Sequence, residues 1–155
     1  MRSIQSWLDE YGESHRNPVN KHLHWVCVPL IMLSLIGLLW AIPVPAAWAA
    51  RSPLLNWGVL FILAALIYYY LLTWRLALGM TLVTIIVIAL VHGASRLPPP
   101  LWMLSVIVFV LAWIGQFIGH KIEGKKPSFF KDIQFLLIGP LWLLAFVYRR
   151  VRIPY

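Results

Sequence analysis

Long uncharged apolar runs constrain this chain more than any other feature of its sequence. Arg75 is the only charged residue between Leu54 and Leu90. A bilayer crossing needs ~20 mostly apolar residues, so this stretch is long enough for two crossings. The whole chain is 61% hydrophobic with a mean hydropathy of +0.81, which excludes an ordinary water-soluble globular fold. The sequence therefore predicts an all-α, polytopic membrane protein.

Prolines, glycines and charges divide the apolar sequence into four predicted transmembrane helices. The predicted spans are residues 18–42, 55–74, 76–92 and 101–120, with a turn near Thr73 to Arg75 between the second and the third. A last apolar run, residues 134–148, is short and contains Gly139 and Pro140. We expect it to form a re-entrant or interfacial helix rather than a span. Residues 1–155 then form a single membrane domain, in which residues 1–17 and 121–155 are cytoplasmic or interfacial segments.

The basic residues indicate how these spans are oriented. The sequence has 13 Lys and Arg against five Asp and Glu, a formal net charge of +8. With four spans, only Arg51 and Arg96 lie on one side of the membrane, and the other 11 basic residues lie with both termini. The positive-inside rule places that larger group in the cytoplasm. Because the charges flank apolar runs, they favour membrane topology over nucleic-acid binding.

The same topology sorts the five histidines. They are His15, His22, His24, His92 and His120. His92 ends the third span on the far side, where a capping or interfacial role is expected. The other four lie near the cytoplasmic face.

Residues 15–24, HRNPVNKHLH, contain the first polar cluster. Asn17 is a good helix cap before Pro18, so we expect the first span to begin there. At ~100° per residue, Asn20 and His24 share one helix face, whereas His22 points away from His24. His15 precedes the cap and can fold back towards His24. An interfacial hydrogen-bonding role for these two histidines is the simpler alternative.

The second cluster lies at the cytoplasmic end of the fourth span. Gln116, His120 and Glu123 occupy positions i, i+4 and i+7 and form one polar stripe on an apolar helix. Polar and ionisable groups in spans usually face the protein interior and mark function. Gly115 and Gly119 would let another helix approach closely. The alternative is a packing role, with Glu123 paired to a lysine.

Together the clusters predict a metal site made of His15, His24 and His120, with Glu123 as a fourth ligand or as a residue that orients a histidine. Imidazole ligands suit zinc, iron, copper or nickel, and spacing does not choose among them. The HExxH, paired CxxC, P-loop and GxSxG motifs are absent from the sequence. Serine–histidine catalysis remains an alternative, since Ser14, Ser95 and Ser128 are present, although none has a recognisable nucleophile elbow. Haem binding through one or two histidines is a further alternative.

These residues resemble a known family, the membrane-embedded, iron(II)-dependent 2-hydroxy fatty acid dioxygenases of fungal phytosphingosine breakdown and their bacterial relatives. Its first pattern fits HRNPVNKHLHWVCVP (15–29) at His15, Asn20, His24 and Pro29. The second fits WIGQFIGHKIEGKKP (113–127), followed by IGP at 138–140. The match covers most of the chain through order and spacing. Cys27 stands where relatives usually have glycine, a departure that affects helix packing more than ligation.

The resemblance implies α-oxidation. A long-chain 2-hydroxy fatty acid and O₂ would give the acid one carbon shorter, CO₂ and water, with Fe(II) as cofactor. Such a membrane enzyme of sphingolipid and fatty acid metabolism would lie in a bacterial inner membrane or the endoplasmic reticulum, with its active site facing the cytoplasm. The implied substrate-binding residues are Asn20, Gln116, Lys121 and Arg16, with Lys125 as a further cation. The acyl chain would lie among the spans.

Two other functions fit the same residues. Zinc also takes histidine and carboxylate ligands, so a zinc-dependent membrane lipid hydrolase is the alternative enzyme. A non-catalytic transport or assembly protein with a structural polar stripe is the alternative outside enzymes. Dependence on O₂ and the identity of the bound metal separate them.

Overall fold

The computed structural model describes residues 2–155 and shows an all-helical chain within them. Seven α-helices follow in order: α1 (Ile4–Glu13), α2 (Pro18–Trp40), α3 (Ala46–Ala49), α4 (Trp57–Leu72), α5 (Trp74–Ala94), α6 (Leu101–Glu123) and α7 (Phe135–Arg150). A single 3₁₀ turn, Ser128–Phe130, lies between α6 and α7. The all-α prediction is confirmed.

Three helices, α2, α5 and α6, are both long and apolar enough to cross a membrane. The apolar helix α4 has 16 residues and would rise ~24 Å, which is less than the ~30 Å hydrocarbon core. The predicted hairpin between α4 and α5 turns at Thr73, whose φ of −165° and ψ of 109° are extended. This is where the sequence places the turn.

Local chemistry explains where α2 begins. The Asn17 side chain accepts a hydrogen bond from the Val19 amide, and Pro18 takes the first helical position, where its missing N–H costs nothing. Helix α2 thus begins at the residue where the sequence predicts the first apolar helix to begin. The same device starts α4, where the Asn56 side chain accepts from the Val59 amide.

Helix α1 was not predicted from the sequence, which assigned residues 1–17 only to a cytoplasmic segment. Ser3 caps it by accepting from the Ser6 amide. Its buried face, Trp7, Leu8 and Tyr11, packs into the main hydrophobic core with residues of α7. The amphipathic α1 therefore packs the N-terminal segment of the chain against α7.

Helices α2 and α6 have the most extensive contact of any helix pair among the described residues, and small residues of α6 let them pack closely. A Cβ on Gly115 would lie 2.6 Å from the Cys27 sulfur, and one on Gly119 would collide with the Asn20 side-chain oxygen. The expected role of both glycines in close helix packing is confirmed. This contact brings the start of α2 beside the end of α6.

Candidate metal centre

His15, His24 and His120 meet at the ends of α1, α2 and α6. One ring nitrogen from each lies within 4.8 Å of one from each of the others. The three side chains are buried, with His15 and His24 1% exposed and His120 5% exposed. His15 lies in the loop between α1 and α2, His24 in α2 and His120 in α6, so the cluster forms only in the folded chain.

The hydrogen bonds of His15 and His24 fix which ring nitrogens face each other. His15 Nδ1 lies 2.5 Å from the Tyr11 carbonyl oxygen, and His24 Nδ1 lies 2.9 Å from the Asn20 carbonyl oxygen. A carbonyl only accepts, so each Nδ1 donates its proton. Both Nε2 atoms then carry lone pairs, and they lie 2.8 Å apart. Two lone pairs held this close repel unless a cation or a proton lies between them.

His120 supplies the third donor of this group. Its Nδ1 is buried and has no hydrogen-bond partner among the described residues. A buried polar nitrogen without a partner is costly, and a bound metal ion would satisfy it. The donor set and this orphaned nitrogen together fit a metal held by three imidazoles. Carbonyl oxygens that orient ligand histidines are usual in such sites.

Tyr11 holds His15 from the side opposite the other histidines. Its ring stacks on the His15 ring with centroids 4.2 Å apart and 14° between the planes, and its carbonyl binds His15 Nδ1. Burial, with a smaller contribution from nearby His24, lowers the pKa of His15 to about 3. His15 is therefore neutral at physiological pH, as a metal ligand must be.

Glu123 lies beside the group rather than within it. Its carboxylate accepts hydrogen bonds from the backbone amides of Arg16 and Asn17, both 2.8 Å away, and from the Asn20 side-chain amide at 3.1 Å. It is not one of the three residues whose donor atoms converge. It contacts the start of α2 in place of the lysine pairing considered from the sequence. Glu123 thus connects the end of α6 to the segment that carries His15.

The other polar residues singled out from the sequence are placed at different distances from this centre. Asn20 is fully buried, and its side-chain amide also donates to the Ser14 carbonyl. Gln116 is buried and lines the adjoining cavity. Arg16 and Lys121 are exposed and do not line it. Lys125 is exposed and donates to the Glu13 carbonyl.

The two histidines excluded from the predicted site lie outside it. His22 is exposed on the opposite face of α2 from His24. His92 is in the last turn of α5, where its Nε2 lies 2.8 Å from an Arg96 guanidinium nitrogen. Both histidines therefore lie apart from the three that converge, as the sequence predicts.

An apolar cavity of about 440 Å³ opens directly beside the three histidines, within the ~300–1,000 Å³ range of small-molecule sites. The three histidines and Gln116 line it where α2 begins and α6 ends, and Trp113 lines the wall about two turns before His120 on α6. Most of the other lining side chains are apolar, with Tyr69 and Thr84 among the exceptions. The indole nitrogen of Trp113 is buried and has no hydrogen-bond partner among residues 2–155. A polar head with a long apolar part fits this space.

Comparison with known families bears directly on this centre. The family model described as "2-hydroxy-palmitic acid dioxygenase Mpo1-like" matches residues 1–151. The chain belongs to this family. No curated protein and no solved structure gives a significant match. The Mpo1-like family is the one whose resemblance was noted from the two histidine motifs.

Within this Mpo1-like chain, sequence reasoning missed three features of the centre. Tyr11 was not considered, because residues 1–17 were not recognised as containing a helix. The buried Ser14 and Ser128 hydroxyls lie 2.6 Å apart and join the loop before α2 to the 3₁₀ turn. Trp113, one turn before Gln116, was treated as part of an apolar span. The helical spacing of Ile4, Trp7, Leu8 and Tyr11, at i, i+3, i+4 and i+7, is the signal that could have revealed α1.

Proposed function

We propose that this protein is an iron(II)-dependent dioxygenase that cleaves 2-hydroxy fatty acids between C1 and C2. The observation that carries the proposal is the convergence of three buried histidines at the polar end of an apolar cavity. The membership in a family described as 2-hydroxy-palmitic acid dioxygenases supports the substrate class. The reaction balances without a further reductant: the 2-hydroxy acid and O₂ give the acid one carbon shorter, CO₂ and water.

The residues divide into ligands and residues that orient them. His15, His24 and His120 would hold the iron, which supplies O₂ reduction and binding of the substrate's hydroxyl and carboxylate. Tyr11 and Asn20 keep the imidazoles of His15 and His24 in one tautomer through their carbonyl groups.

The remaining polar groups act around that centre. Glu123 fixes the loop that carries His15. Beside the histidines, the Gln116 amide, one turn from His120 on α6, is the group positioned to bind the polar head of the substrate.

The apolar part of the cavity would receive the acyl chain. Its lining excludes water from the reacting end and orients the substrate, so that the C1–C2 bond lies at the histidines. Because the acyl chain of the substrate would enter the cavity from the lipid bilayer, a membrane location suits the reaction.

The membrane arrangement proposed here is a single domain with four crossings, α2, α4, α5 and α6, in which α4 is the short one. Helices α1 and α7 would lie at the cytoplasmic interface. The excess of basic residues at the end that holds both termini supports a cytoplasmic active site. An inner bacterial membrane or the endoplasmic reticulum would then be the location.

The proposal is tested by purifying the protein anaerobically with Fe(II), adding a long-chain 2-hydroxy acid and O₂, and measuring bound iron and the shortened acid. We expect O₂-dependent chain shortening. Replacing His15, His24 or His120 with Ala should each remove most bound iron and lower turnover by at least ~100-fold. His22→Ala and His92→Ala are the matched controls, and both variants should keep their bound iron and their turnover.

The result contradicts the proposal if the iron-loaded protein shortens no acid of any chain length. Activity that persists without O₂ and follows bound zinc would instead identify a hydrolase. Unchanged iron in the first three variants would remove the site as drawn.

A further inference from the structure

The cavity ends at a defined depth below the histidines. On α2, His24 and Ile36 both line it. They are 12 residues apart, so at 1.5 Å per residue the cavity extends about 18 Å along this helix. Because His24 contributes to the metal centre, this distance is measured from the reacting end.

Helix α6 gives an independent measure of the same depth. His120 at its end and Phe109 in its middle both line the cavity, 11 residues apart. This spacing corresponds to about 17 Å. Two helices that run in opposite directions through the fold therefore agree on the length of the cavity.

Buried apolar side chains from three helices lie at the deep end. Ile36 of α2, Ile62 of α4 and Val87 of α5 line the cavity there and are 2%, 3% and 5% exposed. With Val91 they form a second hydrophobic cluster, separate from the main core. Trp40, Leu33 and Leu101 pack against that cluster. We call Ile36, Ile62 and Val87 the floor.

We propose that this floor sets the longest acyl chain that the site accepts. Carbon–carbon bonds of ~1.52 Å at ~111° advance an extended chain by ~1.25 Å per carbon. A depth of about 18 Å therefore holds about 14 carbons beyond the C2 atom at the histidines, an acid of about 16 carbons in all. Longer chains would have to fold back or displace packed side chains. This inference rests on the proposed function, since it takes the cavity to be the acyl site.

The first test measures binding rather than turnover. Iron-loaded protein in detergent is titrated with saturated fatty acids of about 12 to 22 carbons, which lack the 2-hydroxyl, in competition with labelled hexadecanoic acid. We expect similar affinities up to about 16 carbons and at least a tenfold loss by about 20. Affinity that stays level through the longest acid would overturn the floor.

A variant that shortens the cavity provides the second test. Ala65 of α4 lines the wall one turn from Ile62, whereas its neighbour Ala64 is exposed and lies outside the cavity. Ala65→Phe should move the affinity cut-off to shorter acids, and Ala64→Phe should leave it unchanged. An unmoved cut-off in folded Ala65→Phe, or the same shift in both variants, contradicts the proposal.

A variant that lowers the floor covers the case in which Ala65→Phe does not fold. Ile62→Ala removes a floor side chain and should extend the cut-off by two carbons or more, while Ile67→Ala, on the exposed face of α4, should not. No extension in folded Ile62→Ala overturns the proposal. A length cut-off without turnover of 2-hydroxy acids would refute the proposed reaction but retain the floor. Turnover of 2-hydroxy acids without any length cut-off would support the proposed reaction but refute the floor.

Discussion

At the scale of single residues, Glu123 has the most informative position. Its two carboxylate oxygens accept three hydrogen bonds from the start of α2, including the amides of Arg16 and Asn17. A carboxylate at a helix N-terminus also interacts favourably with the helix dipole. The sequence left open whether Glu123 binds metal or orients a histidine. These contacts favour the second role, since both oxygens already have partners.

Glu123→Gln separates the two roles. An amide keeps one acceptor but loses the charge, so the loop with His15 should loosen. We expect iron affinity to fall ~10–100-fold, with one iron still bound per chain at saturation. Titration of the metal-free protein with Fe(II) measures both quantities, and Glu13→Gln at an exposed position is the control. Loss of the iron stoichiometry itself would show that Glu123 is a ligand.

His15 makes the stability of the metal-free protein depend on pH. Its pKa is about 3 in the folded chain against an ordinary value of 6.5, because burial disfavours the charged ring. Between these values the unfolded chain binds more protons, so stability falls as pH drops below 6.5. For His15 alone, the expected loss between pH 7 and pH 5 is about 2 kcal/mol.

Denaturation of metal-free protein in detergent at these two pH values measures that loss. His15→Gln should reduce the pH dependence by about the share of His15, whereas His22→Gln, at an exposed position, should preserve it. Equal stability of the unsubstituted protein at both pH values would contradict the neutral, buried state of His15.

At the scale of elements, the contact between α2 and α6 aligns the site. Gly119 lets Asn20 lie against α6, and Asn20 in turn binds His24 through its carbonyl and Glu123 through its side chain. The packing of two helices and the orientation of two site residues therefore depend on one missing side chain.

Gly119→Ala tests this dependence. The added methyl would collide with the Asn20 side-chain oxygen, so we expect a loss of ~1–3 kcal/mol in stability and weaker iron binding. Gly93→Ala is the matched control, because a Cβ there meets nothing within 4 Å and alanine favours the helix. Thermal unfolding in detergent and iron titration measure both effects. Equal behaviour of the two variants would show that close approach at Gly119 is unimportant.

The elements also show how far the sequence could predict the fold. Capping by Asn17 and Pro18, the turn at Thr73 and the stripe of Gln116 and His120 follow from local chemistry, so they were predictable. Helix α1 was not recognised, because its apolar face is short and is buried only by packing against α7, which is distant in sequence. The length of α4 depends on its cap at Asn56, beyond the reach of a hydropathy pattern.

At the scale of the whole molecule, the cavity extends from the three histidines between the long apolar helices. Its lining residues come from six helices and from the segment between α6 and α7, so they are distant in sequence, and most are ordinary apolar side chains. The histidine cluster could be predicted because polar, ionisable side chains are conspicuous in an apolar sequence. The cavity could not, because an aliphatic side chain facing lipid and one facing a cavity look alike in a sequence.

The central claim is oxidative cleavage of the C1–C2 bond at the three histidines. The most direct test is a single turnover of the iron-loaded protein with a 2-hydroxy acid of about 16 carbons that carries ¹³C at C1, with O₂ consumption and labelled CO₂ measured together. We expect one labelled CO₂ for each O₂ consumed and for each shortened acid formed. Labelled carbon that stays in the acid, or CO₂ released without O₂ consumption, would contradict the account.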